Sequence, residues 1–159
     1  MKAALAFLAV LLVLRAGFAA PAARPNILLI VSDDQGYADA GFQGAKDLAT
    51  PHLDRLAVSG VRFTNGYVTH PFCSPTRAAF HTGRYQQRAG IVDVIVGRDP
   101  SEKGLPPETP TLAKVLRKAD YATALFGKWH CGHLDESNPT RLGFDEFVGF
   151  LNGGADYHR

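Results

Sequence analysis

The sequence lacks a charge excess of either sign, and it has few cysteines. Its 159 residues carry 17 basic and 15 acidic side chains, a formal net charge of +2. A chain so close to neutrality has neither the basic surface of nucleic-acid-binding proteins nor an acidic tail, so we expect no nucleic-acid partner. No internal repeat is visible, and the hydrophobic fraction of 46% is ordinary for a globular protein.

Long apolar runs are also missing, except at the start of the chain. Residues 3–14 are all apolar, Lys2 precedes them and small residues follow. This order is typical of a secretory signal peptide, so we predict a signal peptide at residues 1–20, cut between 19 and 23. A membrane anchor is the alternative, but this run is short for a bilayer. We expect no membrane span after signal removal.

The compartment follows from the signal segment. We predict a secreted or periplasmic protein, exported to a bacterial periplasm or beyond. The sequence has no acceptable Asn-x-Ser/Thr glycosylation site, since Asn138 is followed by proline. The lack of a glycosylation site favours a bacterial protein over a glycosylated lysosomal one.

Buried-strand and capped-helix patterns alternate along the rest of the chain. Residues 26–31 and 121–126 are short apolar runs that indicate buried strands. Ser-Pro or Thr-Pro pairs open three helical patterns, which we place at 51–59, 75–82 and 110–119. This alternation predicts an α/β fold, with a mainly parallel (mixed) sheet flanked by helices.

Polar segments follow both predicted strands and should share one edge of the sheet. Asp33 and Asp34 would repel each other unless a cation lay between them, and their hard oxygen ligands suit Ca²⁺ or Mg²⁺. A solvated surface turn is the alternative. Lys128 and His130 lie two apart on an extended stretch and would point to the same side, where both can donate protons. A structural histidine is the alternative reading of His130.

The segment around Cys73 carries the features of an oxyanion site. If Pro75 is the first helical residue, Cys73 stands just before the helix, where free backbone N–H groups favour an anion. Arg77 lies in the first turn and can reach back toward Cys73. In an oxidising compartment, a disulfide between Cys73 and Cys131 is the alternative.

Four segments resemble the sulfatase family, and they occur in the family's order over residues 24 to about 157. Cys73-x-Pro-x-Arg77 followed by Thr-Gly-Arg resembles its signature. The other three are the Asp-Asp pair 40 residues before that cysteine, the Gly-Lys-Trp-His segment at 127–130, and residues 139–145. His81 and Cys131 depart from the pattern, because leucine is usual at both places. The resemblance leaves Cys131 as a packed thiol.

The resemblance implies an alkaline-phosphatase-like fold and a sulfuric ester hydrolase. In this family the cysteine, here Cys73, is oxidised to formylglycine, whose hydrated aldehyde is the nucleophile. Arg77 and Lys128 would stabilise the anionic groups, and His130 would assist proton transfer.

The resemblance also implies a cation and partners. Asp33, Asp34 and the modified Cys73 would hold a divalent cation, Ca²⁺ before Mg²⁺. The implied substrate is a sulfated carbohydrate or an aryl sulfate. The implied protein partner is a formylglycine-generating or sulfatase-maturing enzyme.

The site implied by the resemblance is incomplete in this chain. Sulfatases use a later Asp-Asn or Asp-Gln pair, and no such pair follows His130 here. We therefore expect residues 24–159 to be the N-terminal part of a catalytic domain, truncated and inactive alone. Two rival readings stay open. One is a phosphonate or phosphate ester hydrolase of the same superfamily, and the other is a non-catalytic secreted module with a Cys73–Cys131 disulfide.

Overall fold

A computed structural model describes residues 24–97, 99 and 101–156 of the chain. The predicted signal peptide at 1–20 therefore lies outside the described residues. The chain divides into two units, residues 1–35 and residues 36–159. Among the described residues, no helix is long and apolar enough to cross a membrane.

The described part of the first unit, residues 24–35, forms neither a helix nor a strand. The predicted strand at 26–31 is therefore wrong for this structure. Its apolar side chains are exposed, from 46% for Val31 to 85% for Leu28. An apolar run indicates only that the side chains favour burial. A strand also needs a neighbouring strand to which its backbone N–H and C=O groups can hydrogen-bond.

Three α-helices form in the second unit: α1 (Pro51–Ser59), α2 (Cys73–Thr82) and α3 (Leu112–Lys118). The prediction of α1 is confirmed at both ends. Helix α2 begins two residues earlier than predicted and ends, as predicted, at Gly83, which has a left-handed φ of 63°.

Helix α3 starts later than the predicted residue 110. Its N-cap is Thr111, whose side-chain oxygen accepts a hydrogen bond from the backbone N–H of Lys114 at 3.2 Å. The same hydroxyl donates to the carbonyl of Leu142. These two bonds explain why the helix begins after Thr111 and not after Thr109.

Two strands, β1 (Ala124–Lys128) and β2 (Glu146–Phe150), form a parallel sheet. Their register pairs Ala124 with Glu146 and Lys128 with Phe150. Strand β1 lies a few residues later than the predicted 121–126. The parallel pairing and the flanking helices confirm the predicted α/β class with a parallel sheet.

The hydrophobic core of the second unit packs α2 against the end of β1. Trp129 lies at its centre, fully buried, and its indole N–H donates to the carbonyl of Ser137 at 2.8 Å. The buried residues of this cluster are Ala78, Ile91, Ile95, Leu105, Trp129, Cys131 and Leu142. This core holds the start of α2 and the end of β1 close to each other.

Replacing the N-cap of α3 should destabilise the protein. We expect Thr111→Val to lower the free energy of unfolding by about 1–3 kcal/mol, because it removes the hydroxyl and leaves a buried carbonyl without its donor. Thr140→Val is the matched control, since the Thr140 hydroxyl bonds only to Asn138 at an exposed site. Urea unfolding of both variants measures the difference. If both variants lost the same free energy of unfolding, the role of Thr111 as the N-cap of α3 would be contradicted.

Candidate active site

Cys73 is the first residue of α2, and extended Phe72 precedes it. The sequence predicts that the helix begins at Pro75, with Cys73 just before it. In the structure the helix begins two residues earlier, so Cys73 is itself helical. Proline is tolerated at the third helical position because an N–H there has no intrahelical partner. Both Cys73 and Cys131 are free thiols, so the structure does not contain the alternative Cys73–Cys131 disulfide.

The first turn of α2 is anchored by two hydroxyl groups. Ser74 is fully buried, and its Oγ accepts a hydrogen bond from the backbone N–H of Ile95 at 3.0 Å. The Thr76 hydroxyl donates to the carbonyl of His70 at 2.6 Å. The helix turn that carries Cys73 is therefore held by hydrogen bonds of two of its neighbours.

Arg77 lies one turn after Cys73 and connects α2 to β1. It is only 7% exposed, and its Nη1 donates to the carbonyl of Lys128 at 2.7 Å. That this arginine reaches back toward Cys73 stays a prediction. Burial raises the pKa of the Cys131 thiol, Arg77 opposes that rise, and Cys73 adds to it. Arg77 and Cys73 therefore both influence the ionisation of the Cys131 thiol.

His130 is buried, with only 3% of its surface exposed. Its backbone N–H donates to the carbonyl of Leu151 at 3.0 Å, and its ring Nε2 lies 2.8 Å from the carbonyl oxygen of Ile95. A carbonyl only accepts hydrogen bonds, so this contact assigns the proton to Nε2.

The predicted alignment of Lys128 and His130 on one side of a strand does not apply. Strand β1 ends at Lys128, which is partly buried, and His130 has a left-handed φ of 57°. The alternation of side chains holds only for extended backbone. His130 is fixed instead by its bonds to Ile95 and Leu151.

Ile95 is the residue of this site that the sequence did not indicate. Its backbone N–H donates a hydrogen bond to the Ser74 hydroxyl oxygen at the start of α2, and its carbonyl accepts one from the ring of His130. It lies in an irregular segment, and the bonds use only its main chain. No signal in the side-chain pattern could have identified it.

Asp33 and Asp34 belong to the first unit and are both exposed. Asp34 has a left-handed φ of 54°, which aspartate tolerates better than most residues. Across residues 24–97, 99 and 101–156, no group of three or more His, Cys, Asp or Glu side chains is arranged for a metal ion. Carboxylates suit Ca²⁺, but Ca²⁺ takes six to eight oxygen ligands. Cation binding by Asp33, Asp34 and Cys73 stays a prediction.

His81 is a buried neutral group inside the core of the site. Its ring packs 4.6 Å from that of Trp129 and 4.1 Å from that of Phe80, between centroids. Its Nε2 has no hydrogen-bond partner. Burial, helped by the Arg77 charge, lowers the pKa of His81 from 6.5 to about 3. The histidine therefore stays uncharged beside Arg77.

A sequence model of the family described as Sulfatase matches residues 25–159. The chain belongs to the sulfatase family. Mouse steryl-sulfatase is 47% identical over 82% of this chain and 23% of its own length. Bovine arylsulfatase A is 46% identical over 87% of this chain and 27% of its own length. The chain thus spans about a quarter of the length of these curated relatives.

Solved structures agree with this sulfatase fold. The structure titled Ps i-CgsB is 48% identical, with a TM-score of 0.79 over 84% of this chain and 29% of that chain. The PsFucS1 sulfatase from Pseudoalteromonas sp. is 37% identical, with a TM-score of 0.68 over 75% of this chain and 24% of that chain. The predicted α/β fold and family are therefore confirmed.

Removing the buried histidine of this sulfatase chain should change how stability depends on pH. The folded pKa of about 3 lies below 6.5, so between these values the unfolded chain binds more protons than the folded one. Stability should rise with pH through this window and be lost as pH falls. We expect His81→Leu to raise stability at pH 5 and to flatten this dependence, because leucine leaves no unsatisfied polar atom.

Thermal unfolding at several pH values measures this effect. The control is His52→Leu, since His52 is exposed on α1 and bonds to Arg55. We expect the control to keep the pH dependence of the wild type. A His81→Leu variant whose stability still falls with pH as in the wild type would show that His81 does not carry a depressed pKa.

Proposed function

We propose that this chain supplies the nucleophile and part of the sulfate-binding pocket of an enzyme that hydrolyses sulfate esters. The observation that supports it most is the placing of Cys73 at the start of α2, one turn before the buried Arg77. A helix N-terminus and a guanidinium together attract a tetrahedral anion. The matches to steryl-sulfatase and arylsulfatase A support the same chemistry.

The proposed nucleophile is formylglycine made from Cys73 by a maturing enzyme. Hydrated, this residue supplies one hydroxyl that attacks sulfur and expels the alcohol as the ester S–O bond breaks, and a second whose deprotonation releases sulfate and restores the aldehyde. An unmodified thiol has no second hydroxyl for that step. Cys73 is partly buried at the helix start, where backbone N–H groups favour the developing negative charge.

Arg77 and Lys128 are the proposed electrostatic partners of the sulfate. The Arg77 side chain is held by the Lys128 carbonyl at 2.7 Å, so the guanidinium is fixed before substrate arrives. Little water surrounds a group that is 7% exposed, and its attraction for an anion is correspondingly strong. A preorganised cation of this kind lowers the barrier without reorganising during the reaction.

His130 is the proposed group that assists proton transfer when sulfate is released, and its Nδ1, which carries no proton in this tautomer, would accept the proton. Its Nε2 contact with Ile95 fixes the ring and the tautomer. Asp33 and Asp34, with the modified Cys73, would hold a divalent cation, Ca²⁺ before Mg²⁺. When bound, that cation polarises sulfate oxygens.

The proposed substrate class is a sulfated carbohydrate, with aryl sulfates as the alternative. One matching structure is titled as Ps i-CgsB in complex with k-i-k-neocarrahexaose, and it is 47% identical over 84% of this chain. Human N-acetylgalactosamine-6-sulfatase is 41% identical over 80% of this chain. Export to the periplasm or beyond would place the enzyme where polysaccharides occur.

Modification of Cys73 tests the proposal. In the full protein, made together with a sulfatase-maturing enzyme, we expect the tryptic peptide that spans Cys73 to carry formylglycine by mass spectrometry. Cys73→Ala should reduce hydrolysis of a sulfate ester by at least about 10⁴-fold, because no other group replaces the nucleophile.

Cys131→Ala is the matched control. Cys131 is a buried free thiol, so we expect this variant to keep most of the activity. Aryl phosphonate and aryl phosphate serve as rival substrates for the related hydrolase classes. Full sulfatase activity with unmodified Cys73, or faster turnover of the phosphonate, would overturn the proposed function.

A further inference from the structure

Three hydrogen bonds join the residues on either side of Cys73. The backbone N–H of Phe72 donates to Nδ1 of the His70 ring at 3.1 Å. The Thr76 hydroxyl donates to the His70 carbonyl at 2.6 Å, and the Thr76 N–H donates to the Phe72 carbonyl at 3.3 Å. Cys73 therefore lies within a short stretch of chain, residues 70–76, that these bonds close on itself.

The proline after His70 explains why its ring bonds to Phe72. Pro71 has no N–H and favours extended backbone at His70, so the first N–H that follows the ring is that of Phe72. A side-chain acceptor two residues before an N–H is the arrangement of an Asx turn, which asparagine and aspartate commonly make. A backbone N–H only donates, so Nδ1 of His70 carries no proton in this contact.

Phe72 is the N-cap of α2, and it makes no side-chain capping bond. An N-cap is commonly Ser, Thr, Asp or Asn, whose oxygen accepts an N–H of the first turn. Phe72 has no such oxygen and does not occupy the N–H groups that favour an anion at the start of α2. The path of the chain into the helix must then be fixed by other bonds, and those of His70 fulfil this role.

The segment before His70 is anchored in buried structure. Gln86 is only 1% exposed, and its Nε2 donates to the carbonyl of Thr69 at 3.4 Å. The backbone N–H of Ile91 donates in turn to the carbonyl of Gln86 at 3.1 Å. Because residue 69 is held in this way, the conformation of residues 70–72 is the freedom that remains in the chain before Cys73.

We propose that His70 is a positioning residue for the nucleophile, acting through its ring bond to Phe72 and its carbonyl bond to Thr76. This inference rests on the proposed function, in which Cys73 supplies the attacking group. An aspartate at position 70 could accept the same hydrogen bond, but it would bring a negative charge near a site for sulfate. A neutral imidazole accepts the bond without that charge.

Two substitutions at position 70 separate the hydrogen bond from the aromatic ring. His70→Phe keeps a ring, which in the histidine lies 5.7 Å from that of Phe72, but removes the acceptor. His70→Asn removes the ring, but its Oδ1 stands as many bonds from the backbone as Nδ1 and accepts the same N–H. We expect His70→Phe in the full protein to lower kcat for a sulfate ester by about three- to tenfold, and His70→Asn to restore it to within about twofold. KM should change by less than about twofold in both, because His70 has no proposed contact with the substrate.

Two further measurements accompany these rates. The kcat is expressed per formylglycine, counted by mass spectrometry of the peptide that spans Cys73, so that poorer maturation is not mistaken for poorer positioning. Hydrogen–deuterium exchange of residues 70–76 reports on the Phe72 N–H without depending on activity, and Pro71 and Pro75 contribute no N–H to it. We expect faster exchange in His70→Phe and exchange like that of the wild type in His70→Asn.

The matched controls are His52→Phe and His52→Asn. His52 is exposed on α1, and its Nδ1 also makes a contact, 2.7 Å from Nη2 of Arg55. Both controls should keep the kcat of the wild type. If the wild type is active, an unchanged kcat in His70→Phe or no recovery in His70→Asn would overturn the inference. A wild type that carries formylglycine but hydrolyses no sulfate ester would overturn the proposed function instead, and the exchange of residues 70–76 would still show whether His70 holds Phe72.

Discussion

The backbone of Ile95 is the interaction on which the rest of the site depends. Its N–H donates to the Ser74 hydroxyl beside Cys73, and its carbonyl meets the His130 ring. Both bonds are buried, so water cannot replace them, and losing either would leave a buried polar group unsatisfied. Through one peptide segment, the start of α2 and the His130 ring are held at a fixed separation, which the proposed proton transfer would require.

Burial keeps two side chains near Arg77 uncharged. Arg77 is buried and positively charged, while burial keeps His81 uncharged and raises the pKa of the Cys131 thiol. A charged His81 would repel Arg77, and an ionised Cys131 would neutralise it. Because both neighbours are neutral near pH 7, neither repels nor neutralises Arg77, which suits its proposed role toward a sulfate group.

Sequence patterns located the elements of this protein but not its main-chain contacts. The helix at 51–59 was predicted at both ends because its Thr-Pro start and glycine stop are local signals. The strand at 26–31 was wrong, since its pairing depends on distant segments. The role of Ile95 was not predictable, because its bonds use only the backbone and join residues 21 and 35 positions away. Motif resemblance identified the family because it compares side-chain chemistry directly.

The parallel pairing of β1 and β2 explains why His130 lies beside the segment that follows β2. Parallel strands bring their carboxyl ends to the same edge of a sheet, where ligands bind in α/β folds. The pairing of Lys128 with Phe150 continues beyond the strands, because Trp129 and His130 donate to the carbonyls of Phe150 and Leu151. The left-handed turn at His130 ends this ladder and leaves its ring beside the segment that follows β2. The geometry that terminates the sheet therefore also leaves an open pocket beside the histidine, lined by residues 94–97 and 152–154.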